Sequence, residues 1–298
     1  MPFLYNINLG EFKRKKLLLS ENELKSLLYH SIFDYPLTSG ELAKWAVGPK
    51  AEISIKPEQL VEEKNGLYFL KGREGVVYKR LLKKRISRRK INIAKDAAKL
   101  LSIIPSIKMI AITGSLAMEN APYDSDIDLL LLTANNTLWT TRALALLLLK
   151  LAGFPVRRFG DKKQKDKLCM NMWIDEKALS WPLGNRNVYT AHEIAQIKPL
   201  INKCKAYERF MGQNKWIEDY WPNSVKLNHE PRTMNNAKKS FSSVVRSSFS
   251  VVRFFEKFAF QIQYIYMKKK ITREKIDSHR AIFHPNDWGE VVLRQLTS

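Results

Sequence analysis

Cysteine is scarce in this 298-residue chain: the two present, Cys169 and Cys204, stand far apart and fit no metal-type spacing. That argues against a disulfide framework or a zinc knuckle and predicts reduced thiols in a cytoplasmic protein. Long hydrophobic runs are missing as well. The nearest candidate, Ala143 to Leu149, is bounded by Arg142 and Lys150 and falls far short of the ~20 apolar residues that span a bilayer. Met1 to Leu9 lacks the basic region followed by an apolar stretch that marks a secretory signal. His192-Glu193 has no second histidine one turn on, so it is not a zinc-protease pair. Neither an internal repeat nor a low-complexity tract is present. What remains is a globular composition, 45% hydrophobic and 11% aromatic, in a chain long enough for two or three small domains.

Acidic residues are also few, 29 against 51 basic ones, for a formal charge of +22. Solubility needs far less, and the excess points to a polyanionic partner. By region the charge is +10 over residues 1–100, +4 over 101–220 and +8 beyond. A nucleic acid lying across both flanks with one end at the acidic centre fits that distribution.

The first region is rich in helix signals. Ser20-x-x-Glu23 and Thr38-x-x-Glu41 are capping boxes, each followed by apolar residues at helical spacing. Pro57 opens a third expected helix running to Lys64, ended by Asn65-Gly66, before a hairpin of Leu67–Leu70 and Val76–Tyr78. Three helices and a hairpin resemble a winged helix, expected over residues 17–80. Glu58, Glu62 and Glu63 on its third helix would repel phosphate, so an interaction or RNA-positioning module fits better than a DNA reader. From Lys79 to Leu101 a basic helix follows, and a second basic cluster runs from Arg157 to Lys167.

Chemistry concentrates in the middle. Apolar Met109–Ile112 leads into Thr113-Gly114-Ser115, and after a spacer of about ten residues come Ser125-Asp126-Ile127-Asp128 and Leu129–Leu132. A strand sends residues i and i+2 to one face, so Asp126 and Asp128 can share a cation. Gly114 lets phosphate oxygens approach the backbone, and Ser115 opens a helix whose amides favour an anion. This apolar strand, Gly-Ser turn and Asp-apolar-Asp pattern resembles the DNA polymerase beta-like nucleotidyltransferase superfamily over about residues 108 to 133. The resemblance implies Mg²⁺ or Mn²⁺ at Asp126 and Asp128, and triphosphate contacts at Gly114 and Ser115. It also implies transfer of a nucleoside monophosphate from an NTP to a hydroxyl acceptor.

The family's third carboxylate lies on a neighbouring strand, and the candidate here is Leu168–Asp175. Its apolar flanks put Asn171 at the third position. Asp175 shares that face by the two-residue rule but lies roughly 13 Å further along. Asp175 gives a complete catalytic triad, whereas Asn171 leaves the base unfilled and favours a catalytically degenerate nucleic-acid-binding or regulatory module. Past Trp181, Thr190-x-x-Glu193 reads as a helix cap, with Pro199 ending that helix. Asn223 to Ser243 is polar and linker-like, and Phe249, Val252, Phe255, Phe258 and Ile262 form the apolar face of a packed helix.

The expected protein is therefore α/β (α+β), with a mixed sheet and flanking helices in a nucleotidyltransferase domain over 81–185. A winged-helix-like module precedes it and a helical C-terminal region, 186–298, follows. The expected acceptor is nucleic acid, RNA ahead of DNA, with a partner protein also open. Small cationic acceptors fit a chain of this charge poorly.

Overall fold

The computed structural model describes residues 19–55, 60–158, 160–225, 244–268, 275–283 and 288–297; of 244–254, 275 and 288 it describes the backbone alone. A six-stranded mixed sheet runs in the order β6-β3-β4-β5-β8-β7. Its middle strands are β3 (Ile107–Ile112), β4 (Ile127–Thr133) and β5 (Leu168–Asp175). The pair β4–β5 is parallel and every other neighbouring pair antiparallel. Near-continuous apolar runs form the centre because both faces are covered. On one face Ile110, Ile112, Leu129, Leu131 and Trp173 pack with α3 (Gly75–Leu101) and α5 (Leu138–Leu151). On the other, Met109, Ala111, Leu130, Leu132, Met172 and Ile174 pack against α1 (Glu21–Ser31), α2 (Ser39–Lys44), α6 (Val188–Ala195) and α7 (Ala206–Gly212).

The mixed α/β architecture is as expected, while several details differ. Both capping boxes form, at Ser20/Glu23 and Thr38/Glu41. Val61–Lys64, expected as the end of a third helix, is instead β1, paired antiparallel with β2 (Leu67–Leu70). Asn65 and Gly66 both take positive φ, 55° and 75°, the tight-turn geometry that joins two strands rather than ending a helix. Pro57 and Glu58 lie outside the described residues. Val76–Tyr78 forms the first turn of α3, not a strand, and α3 runs unbroken through the expected boundary at 80/81. Beyond residue 186 the chain is not only helical. β6 (Lys198–Asn202), β7 (Lys275–Ile276) and β8 (Arg280–Ile282) complete the sheet, and one apolar core holds Leu27, Leu130, Phe210 and Leu296 together. Pro199 sits in the edge strand β6, where a residue with no N–H is tolerated.

Helix α8 (Val244–Lys268) lies against α5, as a packed helix should, but on a different face from the one expected. Phe255, Phe258 and Ile262 are exposed, while Glu256 is buried and accepts the N–H groups of Trp139 at 2.7 Å and Thr140 at 2.9 Å. Those amides are orphan donors in the first turn of α5, so Glu256 caps that helix from outside. Phe249, Val252 and most of Asn223–Ser243 fall where side chains or residues are not described. Among the described residues no helix is long and apolar enough to cross a membrane.

Candidate functional site

The turn between β3 and the short helix α4 (Gly114–Ala117) is tied to the acid strand by its backbone: Thr113 N–H donates to Asp128 O at 3.1 Å. Gly114 has φ +60°, and a Cβ there would stand 3.0 Å from Asp128 Oδ2. Glycine is thus favoured twice, for its conformation and for the space beside the carboxylate. The loop before Asp126 is fixed by Lys90 of α3, fully buried, whose Nζ reaches Ser125 O at 2.6 Å and Asp166 Oδ1 at 2.9 Å.

Gly114, Ser115, Asp126 and Asp128 line one cavity of about 570 Å³. Its other walls come from Phe33 and Tyr35 after α1, from Arg157, from Asn171 and from α6. Asp128 lies opposite Cys169 in the parallel register, and ligand atoms of Asp126, Asp128 and Cys169 come within 4.8 Å of one another. Burial first and the neighbouring Asp126 second push the Asp128 carboxyl up to about 7. The same surroundings drive the Cys169 thiol far above its usual range. Beside the carboxylates this thiol is a further donor, one that a bound metal would have to deprotonate.

β5 carries one extra residue against β4: two steps from Asp128 to Leu130 span three from Cys169 to Met172. This bulge flips the alternation. Cys169 and Asn171 face the cavity side, and Met172 and Ile174 continue that face into the core below it. Asn171 Nδ2 donates to Asp128 Oδ1 at 2.8 Å, while its Oδ1 is buried with no partner. Thr113 Oγ1, also on the cavity, is likewise buried and unpartnered. Two carboxylates with two orphaned oxygens beside them make a donor set that suits Mg²⁺ or Mn²⁺.

Asp175 corrects the expectation of a triad. The bulge places it on the opposite face from Asn171, and its register partner is Thr133 at the far end of β4. It is fully buried and accepts from Asn136 N at 3.1 Å, Lys177 N at 2.8 Å and His279 Nδ1 at 2.7 Å. It does not line the cavity.

Arg157, the first residue of the second basic cluster, turns onto the site. Val156 bridges to Leu168, Arg157 N–H donates to Leu168 O, and the guanidinium reaches Asp126 Oδ2 at 2.6 Å and Cys169 Sγ at 3.7 Å. The cavity also holds buried His30 and His192, joined Nε2 to Nε2 at 3.1 Å. Burial lowers His30 to about 4 and His192 well below the usual imidazole range, so both are neutral at pH 7. Helix α6 is capped not by Thr190 but by Asn187, with Thr190 as the reciprocal partner in a capping box. Glu193, read from sequence as part of the cap, is therefore released from it and lines the cavity.

The basic residues of α3 divide. Arg80 binds Pro36 O and Glu41 and stacks 4.0 Å over Tyr35, and Lys79 pairs with Asp34. Arg73 on the hairpin side pairs with Asp34 as well. Lys84, Arg85 and Arg88 are exposed, and Lys83, just before them, reaches the cavity. In comparisons with known proteins, no family model matches the chain and neither does any curated protein.

Proposed function

We propose that the chain is a Mg²⁺- or Mn²⁺-dependent nucleotidyltransferase that moves a nucleoside monophosphate from an NTP to a hydroxyl on RNA or another macromolecule. The observation that carries this proposal is one cavity in which Asp126 and Asp128 stand beside the unpartnered oxygens of Thr113 and Asn171, next to the Gly114 turn. Buried polar atoms without protein partners are uncommon in native proteins, and beside two carboxylates such oxygens can accept an ion or its water. When bound, the divalent cation supplies charge for the departing pyrophosphate and lowers the cost of attack at the α-phosphorus. Asp126 and Asp128 hold it there, and Gly114, lacking a side chain, leaves room for the triphosphate. Arg157 exchanges its contact with Asp126 for one with a phosphate oxygen. The exposed Lys84, Arg85 and Arg88, leading to Lys83 at the cavity, offer a track for a polyanionic acceptor.

Incubating the protein with Mg²⁺, α-labelled NTPs and an RNA pool tests this. The wild type should label RNA, and Asp126→Ala and Asp128→Ala should each reduce labelling roughly 100-fold or more; unchanged labelling in both overturns the assignment. A second reading, a degenerate fold that binds nucleotide or RNA without turnover, is favoured by one observation: the guanidinium of Arg157 already neutralises Asp126 while β5 presents no carboxylate at the cavity. Saturable nucleotide binding with no labelling of any acceptor selects that alternative.

A further inference from the structure

We infer that Glu193 is the carboxylate that takes the acceptor's proton, standing on α6 across the cavity from Asp126 and Asp128 and replacing the acid that β5 lacks. This rests on the nucleotidyl-transfer proposal. Tyr189, His192, Glu193 and Gln196 all line the cavity, and their spacing of three, one and three residues is one face of a helix. That face exists because the Asn187–Thr190 box starts α6 early enough to turn Glu193 inward. Its carboxylate accepts one hydrogen bond among the described residues, from Gln196 Nε2 to Oε1 at 2.6 Å. Oε2 keeps its lone pairs for a ligand.

The groups around Glu193 are Asp128 on β4, Tyr29 on α1, and Tyr189 and His192 on its own helix, with His30 on α1 and Lys44 on α2 acting on His192. The two histidines are neutral and buried, and Tyr29 keeps its proton because burial and then Glu193 raise it. None of these three competes for the role of base. Burial, with Asp128 second, pushes Glu193 up to about 7, where a carboxylate is a stronger base than usual yet still ionised in useful amount at neutral pH.

The step balances as follows. The acceptor oxygen forms a bond to the α-phosphorus as its proton passes to Glu193. The bond from the α-phosphorus to the bridging oxygen breaks, and pyrophosphate leaves with that electron pair. Asn171 cannot perform this role, since its amide has no basic site at neutral pH and its Nδ2 is committed to Asp128.

The experiment compares wild type, Glu193→Gln, Glu193→Asp and Asp128→Asn in three readouts: labelling rate, Mg²⁺-dependent binding of a fluorescent NTP analogue, and the pH–rate profile. Glu193→Gln should lower kcat roughly 100-fold, flatten the acid limb of the wild-type pH–rate profile, and leave analogue binding within about two-fold. Glu193→Asp, which keeps a displaced carboxylate, should fall between, and it guards against a Gln variant that misfolds. Asp128→Asn should lose both rate and Mg²⁺-dependent binding. Wild-type rate and profile in Glu193→Gln overturn the inference while leaving the nucleotidyl-transfer proposal intact. So does loss of analogue binding in Glu193→Gln equal to the loss of rate. Failure of the wild type to label any acceptor overturns the proposal and the inference together.

Discussion

The two ends of the parallel pair β4–β5 carry the same residue type in opposite circumstances. At the far end Asp175 is sealed from water, with both carboxylate oxygens accepting hydrogen bonds from two backbone amides and His279. At the near end Asp126 and Asp128 share a cavity with Thr113 Oγ1 and Asn171 Oδ1, which have no partners, and with an arginine that contacts only one of the two acids. A satisfied buried acid holds a fold together. Crowded acids beside unsatisfied oxygens cost stability and are retained where something binds. The acid nearest to completing a triad by sequence is thus a structural brace, and the incomplete end is the candidate for chemistry.

Asp175→Ala should give the largest effect. Removing the buried acid leaves the part-buried amides of Asn136 and Lys177 and the His279 imidazole without their acceptor, and urea unfolding should show a loss of about 3–5 kcal/mol. A loss below about 1 kcal/mol would break the contrast. Next comes pH. Burial holds His30 at about 4, below its unfolded value near 6.5, so between those values the unfolded chain binds more protons. His30 alone therefore removes about 3 kcal/mol of stability as the pH drops from 6.5 toward 4, while Asp128 and Glu193, raised to about 7, act in the opposite sense. A His30→Asn variant whose urea midpoint changes between pH 7 and 4.5 just as the wild type's does would contradict a neutral pair lining the cavity.

Gly114→Ala should cost about 1–2 kcal/mol, because φ +60° strains alanine and the new Cβ meets Asp128 Oδ2. It should also weaken nucleotide binding more than it weakens the fold. Smallest of all is Asp128→Asn: removing a carboxyl penalised by burial and by Asp126 should leave stability at pH 8 within about 0.5 kcal/mol or raise it. A large loss there would make Asp128 a brace like Asp175.

Features governed by neighbouring residues were legible from sequence. Both N-terminal capping boxes and β3 and β4 with their Gly-Ser turn depend on short-range periodicity and local hydrogen bonds. Features set across the sheet were not. The bulge in β5 inserts one residue without a glycine to mark it, and that residue decides whether Asp175 or Asn171 meets Asp128. Charged Val61–Lys64 reads as helix until its hairpin partner is known, and the buried side of α8 is chosen by Glu256 reaching the start of α5. Thr113, Cys169, Arg157 and Glu193 come to the site through tertiary packing. Of these, the clearest local sign lay in Asn187 with Thr190, an alternative cap that frees Glu193.

The central claim is that the Asp126–Asp128 end binds a divalent cation, and a titration with Mn²⁺ followed by electron paramagnetic resonance tests it most directly. The account predicts a saturable Mn²⁺ site in the wild type, displaced by excess Mg²⁺, and its loss in Asp128→Asn while that variant stays folded. Equal Mn²⁺ binding by wild type and Asp128→Asn would contradict it.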